Sequence, residues 1–248
     1  MEMFEHNTST FIGKGGVEIF FQNWKKTSPD GIFIIVHGIG EHSGRYRHIL
    51  EHLQDMNVSV YAMDHRGHGK SAGRRGHVDS FMDYVYDLKL FRNYITEEND
   101  GTPVFMFGHS LGGVVALRYA LEYPEDLRGL ILSSPGLIPS VEVSGWKKTL
   151  ASITSSGLGS LTMSNGISTA LLSHDSDEVA DYENDPLVHD PISSRLYSEM
   201  MKTSQECLNR VSEITIPMLL LHGKDDCIAD ISGSEKVFQN ASSTNKEF

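Results

Sequence analysis

Gly108-His109-Ser110-Leu111-Gly112-Gly113 carries the strongest chemical signal in the chain. A serine with a glycine two residues before it and another two after suits a sharp strand-to-helix turn, which projects the hydroxyl where it can attack an acyl carbonyl. The surroundings fit, because Pro103 to Phe107 is a short apolar run and Leu111 to Leu121 is apolar and helix-like. Ser110 is therefore the candidate nucleophile. Leu111 N–H would lie at a helix N-terminus, where backbone donors stabilise a developing oxyanion. A second donor is expected from the loop after Ile32 to Val36, where His37-Gly38-Ile39-Gly40 makes Ile39 N–H the candidate. His37 reads as a residue that shapes this loop by local hydrogen bonding, and the turn should direct His109 away from the nucleophile.

Such a serine needs an acid and a base. Leu219-Leu220-Leu221-His222-Gly223-Lys224-Asp225-Asp226 puts two carboxylates just past a strand-like run, and both qualify by proximity. Either would orient an imidazole and stabilise its cation without taking the proton itself. In this kind of turn the chain order is serine, acid, histidine. The last of the 12 histidines is His222, before both aspartates, and His37, His42, His109 and His222 are poor substitutes. The expectation is a chain cut short before its base. Losing a triad member costs about 10⁴ to 10⁶ in kcat.

These side chains must be carried by a sheet. Runs rich in β-branched and aromatic residues recur at Gly31 to His37, Val58 to Asp64, Pro103 to His109, Gly129 to Ser134 and Pro217 to His222. Helix-like segments alternate with them at Arg45 to Met56, Ser80 to Ile95, Leu111 to Tyr123 and Ser194 to Val211. The alternation predicts an α/β fold, a mostly parallel twisted sheet with helices on both faces. Thr10 to Ile12 and Val17 to Trp24 flank Gly15-Gly16 as an antiparallel hairpin. Leu137 to Ile192 breaks the rhythm, rich in Ser, Gly and Thr with Trp146, Leu150, Ile153, Leu158, Leu161, Met163 and Leu171 scattered through it. A helical cap fits that segment, dividing the chain into core 1–136, cap 137–192 and core 193–248.

Bulk properties narrow the classes. The net charge of −12, without single-sign runs, excludes a basic nucleic-acid footprint. The start lacks a signal-peptide pattern and no apolar run approaches the roughly 20 residues of a membrane span, so a cytoplasmic protein is expected. Cys207 and Cys227 form no CxxC, and neither a disulfide, a metal nor a cofactor is indicated.

His37 to Tyr46, Asp64 to Ser71, Gly73 to Val78, the serine turn and Asp185 to His189 together resemble the monoacylglycerol lipase and lysophospholipase branch of the α/β-hydrolases, also grouped with serine aminopeptidases. The resemblance implies an α/β-hydrolase fold that hydrolyses lipid esters, monoacylglycerol foremost and lysophospholipid next, through an acyl-serine. It places the acid at Asp226, on the family's Gly-x-x-Asp spacing from Gly223, and the base on a loop after one more strand, which implies that the last strand, begun at Asn245 to Phe248, the histidine loop and the closing helix are cut off. It makes Glu41 and Arg45 candidates for a glycerol-like head group, and allows the cap's apolar residues transient contact with a membrane surface. Two other classes compete: a lipid-binding protein without turnover, favoured by the missing histidine, and an aminopeptidase using acidic cap residues such as Asp175, Asp177 and Glu178.

Overall fold

A computed structural model describes residues 4–140 and 159–248. An eight-stranded sheet runs in the order β1 (Glu5–Ile12), β2 (Glu18–Lys25), β4 (Val58–Met63), β3 (Gly31–Val36), β5 (Val104–His109), β6 (Gly129–Ser133), β9 (Met218–Leu221), β10 (Lys246–Glu247). β1 pairs antiparallel with β2, and β2 with β4; the remaining pairs are parallel. The five internal strands lie where the apolar runs put them, and the hairpin's first strand starts earlier, at Glu5, than Thr10.

The period of two along β3 separates two cores. Ile32, Ile34 and Val36 face one apolar cluster, Phe33 and Ile35 the other. On the first face pack α2 (Met82–Glu98), α3 (Leu111–Glu122), α5 (Ser194–Arg210) and α6 (Ile231–Asn240); on the second packs α1 (Arg47–Leu53). Helix α3 is buried on nearly all sides, which its apolar sequence demands, and it ends where Pro124 cannot continue it. In α5 the stripe Leu196, Met200, Thr203 and Cys207 faces the core, and Ser193 Oγ caps its start by accepting from Leu196 N–H at 3.0 Å.

Between the two parts of the core, a two-stranded hairpin of β7 (Thr162–Ser164) and β8 (Pro191–Ser193) brackets α4 (Ser176–Asn184), a polar helix with no buried residue. Trp146, Leu150, Ile153 and Leu158, expected in the cap, lie outside the described residues. Lys246 and Glu247 do begin a strand, in parallel register with Met218 and Leu219. That edge of β9 is thus partly covered rather than bare. The sequence pattern missed α6, whose Ser- and Gly-rich start has low helix propensity. Its start is secured by Asp230 Oδ1, which accepts from Ser232 N–H at 2.8 Å, and Gly233 lies against Leu137.

Candidate active site

Ser110 ends β5 and starts α3 with φ +52° and ψ −118°. A non-glycine residue held there stores about 1 to 3 kcal/mol of strain, offset by the packing around it. Ser110 N–H donates to Ser133 O at 3.1 Å, and its carbonyl accepts from Gly113 N–H at 3.0 Å and Gly136 N–H at 2.9 Å. The glycines are needed for approach. A Cβ on Gly108 would lie 2.5 Å from Gly112 O, and one on Gly112 would collide with the Val36 and His37 carbonyls at the end of β3. The helix N-terminus is thereby pressed onto the loop after β3.

That loop is held by bonds that leave one amide free. His65 N–H donates to His37 Nε2 at 2.8 Å, so the ring hydrogen sits on Nδ1 and is given to Gly38 O at 2.7 Å. Burial lowers the His37 pKa against the pull of Asp64 and Glu41, keeping the ring neutral in this structural role. Gly38 N–H donates to Glu41 Oε1 at 2.6 Å, and Gly40 O accepts from His189 N–H at 2.8 Å. Among the described residues, neither Ile39 N–H nor Leu111 N–H donates to any acceptor. A Cβ on Gly38 would come within 3.3 Å of Ser110 Cβ, so the loop passes directly beside the nucleophile.

The loop after β9 brings Asp226 to the same cavity. Its Oδ1 accepts from Ile228 N–H at 2.8 Å and Ala229 N–H at 2.9 Å, leaving Oδ2 turned toward His222 Nε2 at 3.5 Å. The neighbouring Asp225 also lines the cavity but is exposed, with no side-chain bond among the described residues. The His222 ring is buried, bonded to Ser234 Oγ at 2.8 Å and Ala229 O at 2.9 Å. His109 is among the residues that line the cavity, and its Nδ1 is bonded to Ser133 Oγ at 3.2 Å, not to Ser110. None of the 12 histidines, all within the described residues, hydrogen-bonds Ser110.

The cavity, about 740 Å³, is lined by apolar Ile39, Phe107, Ile167, Leu171 and Leu172 and by polar residues that include Glu41 and Arg45. Glu41 Oε1 accepts from both Gly38 N–H and Tyr46 Oη–H at 2.6 Å, so it braces the loop as well as lining the wall. The Arg45 guanidinium stands 3.6 Å from Glu178 and 3.8 Å from Glu41, over the Tyr182 ring at 5.0 Å. Tyr182 was not singled out from sequence; no local pattern marks it, because α4 brings it and Glu178 against Arg45 from far along the chain. Asp64, from the Asp64 to Ser71 motif, is structural: its Oδ1 accepts from Ser43 N–H and its Oδ2 from Lys70 N–H, both at 2.8 Å. Among the described residues no group of three or more His, Cys, Asp or Glu is placed to hold a metal.

A mostly parallel sheet whose central strand runs through a strained serine into a buried helix, with an acid loop two strands away, defines an α/β-hydrolase. A family model described as serine aminopeptidase, S33, matches residues 27–248, and the chain belongs to that family. It is 31% identical to the monoglyceride lipase of Homo sapiens over 95% of this chain and 78% of that one. An uncharacterized abhydrolase domain-containing protein of Dictyostelium discoideum is 36% identical over 88% of this chain, which spans 23% of that protein's length. The crystal structure of Paleococcus ferrophilus monoacylglycerol lipase superposes with a TM-score of 0.78 at 34% identity, covering 99% of this chain and 87% of that one.

Proposed function

We propose that the protein hydrolyses carboxylic esters of lipids, with monoacylglycerol as substrate. The observation that carries this is the strained Ser110 beside two unengaged amides, Ile39 and Leu111, in a cavity lined in part by apolar side chains. Ser110 Oγ attacks the ester carbonyl, and the two amides receive the oxyanion. An acyl-serine forms, the alcohol leaves, and water releases the acid. The acyl chain lies along Phe107, Ile167, Leu171 and Leu172, and the head group meets Glu41 and Arg45. Arg45 is already engaged by Glu41, Glu178 and Tyr182, which favours an uncharged glycerol over a phosphate-bearing head group. The monoglyceride and monoacylglycerol lipases among its relatives support the same substrate.

Asp226, with Oδ1 pinned by two amides and Oδ2 unbonded, is the acid that would hold an imidazole between itself and Ser110. No histidine of these residues stands bonded there, and for these residues imidazole added in solution can take the proton. A fluorophosphonate probe should label the chain slowly, faster with added imidazole, and not at all after Ser110→Ala. Labelling that survives Ser110→Ala refutes the assignment. Release of fatty acid from a medium-chain monoacylglycerol, with none of the anilide from an amino-acid anilide, separates esterase from aminopeptidase.

No helix among the described residues is long and apolar enough to cross a membrane. The same proposal has a cytoplasmic protein visiting a membrane surface through exposed Leu161, Leu171 and Leu172. Sedimentation with phosphatidylcholine vesicles tests that contact.

A further inference from the structure

We infer that Asp185 is a positioning residue, the latch by which the segment after α4 holds the oxyanion loop in register. The inference rests on the ester-hydrolase reading above for its catalytic consequence, and on geometry for the latch itself. Loop 37–42 is tied down on two sides. Its first residues are fixed by the core, through His37 to Gly38 O and Gly38 N–H to Glu41. Its last residues are fixed from outside the sheet, by residues 182–189.

Three contacts make that second attachment. His189 N–H donates to Gly40 O at 2.8 Å. His42 Nε2 meets Asp185 Oδ2 at 2.8 Å; since His42 Nδ1 accepts from Gly44 N–H at 3.1 Å, the hydrogen sits on Nε2 and is donated to the carboxylate. Gly40, at φ +73°, admits the segment at close range: a Cβ there would lie 2.5 Å from His189 O and 3.5 Å from Tyr182 Oη. The Asp185 carboxylate is itself fixed, its other oxygen accepting from Leu187 N–H at 2.9 Å. Ile39, whose amide is the candidate oxyanion donor, therefore lies between a core-held residue and a cap-held one. None of these residues need touch substrate. Asp185 acts on the reaction through His42, and the reaction is sensitive to it because an oxyanion donor must meet the charge at about 3 Å, where a shift near 1 Å costs up to about 10²-fold.

The test compares Asp185→Ala and Asp185→Asn with the unaltered chain, using Glu183→Ala as a control. Glu183 bonds Thr169 elsewhere in the same region. Asparagine keeps an oxygen that can accept from His42 Nε2–H, and alanine does not. Asp185→Ala should lower kcat for a short-chain ester, with imidazole supplied as base, by about ten- to a hundredfold while KM stays within about twofold. It should also speed hydrogen exchange in a peptide covering residues 37–43. Asp185→Asn should restore both, and Glu183→Ala should change neither. A purely structural Asp185 would lower melting temperature without that kcat-only loss. Equal kcat in Asp185→Ala and the unaltered chain, or an Asp185→Asn as impaired as the alanine variant, overturns the latch. If the unaltered chain and Ser110→Ala hydrolyse the ester equally, the ester-hydrolase reading has failed instead. Hydrogen exchange then decides alone: unchanged exchange at residues 37–43 in Asp185→Ala overturns the latch.

Discussion

Gly112 has no room for a side chain, because its α-carbon faces the carbonyls of Val36 and His37 where β3 ends. The distance from Ser110 to the oxyanion loop is therefore set by a missing methyl group. Gly112→Ala must push α3 off β3 or twist the turn, at a cost of about 1 to 3 kcal/mol. Urea denaturation should show the loss, and Ser110 labelling by fluorophosphonate should slow by more than stability alone accounts for. Labelling at the unaltered rate would show that the loop tolerates displacement. At this scale the sequence was informative where chemistry imposes spacing. Ser110, Ile39, Leu111 and Asp226 all come to one cavity or its rim. The partner that holds the His109 ring, Ser133 Oγ, lies 24 positions away and no local spacing marks it.

Among the elements, α2 is fixed to the loop before β2 and the loop after β4 chiefly through Asp87. Arg66 Nε and Nη2 both reach the Asp87 carboxylate at 2.7 Å, and Lys14 N–H donates to it at 2.7 Å. Asp87 is fully buried, and burial raises its pKa against the opposing pull of Arg66. Asp87→Ala leaves Arg66 only the weaker 3.6 Å pair to Asp83, so it should cost toward the low end of about 3 to 5 kcal/mol. Chemical denaturation measures this, and a loss under 1 kcal/mol would mean that water replaces the carboxylate. Strands were more legible than helices: continuous apolar runs mark parallel strands buried on both faces, whereas α6 is set by capping and by contact with Leu137.

For the molecule as a whole, the notable charge feature is a stack of histidines that the proposed chemistry does not use. His37 and His65 rings lie 4.3 Å apart, His37 and His68 5.5 Å, and His68 and His189 4.7 Å. Burial lowers all four pKa values, with Arg75 adding to the effect at His68 and His189, while Asp64 and Glu41 oppose it at His37. The folded protein keeps these rings neutral, and the unfolded chain protonates them below about pH 6.5. Stability from this stack is thus fully present above about pH 6.5 and falls as pH drops toward the lowered values. The slope approaches about 1.4 kcal/mol per pH unit for each ring held neutral. Urea midpoints measured from pH 8 to 5 should fall steeply below 6.5, and His68→Phe should flatten the curve. A midpoint independent of pH over that range would mean that the rings protonate in place.

The sequence by itself determined the class of sheet and marked the candidate nucleophile and its candidate partners, because backbone strain, glycine spacing and apolar periodicity are local and leave their mark within a few residues. It also determined that no histidine follows Asp226 within these residues. Only the tertiary structure decided which groups remain unengaged and which are spent. Glu41, a candidate for head-group contact, also braces its own loop, Arg45 is paired across to Glu178, and His42 reaches Asp185 143 positions away. Those contacts join residues far apart in the chain. No spacing rule encodes them, since they exist only once the sheet has brought its loops to one edge.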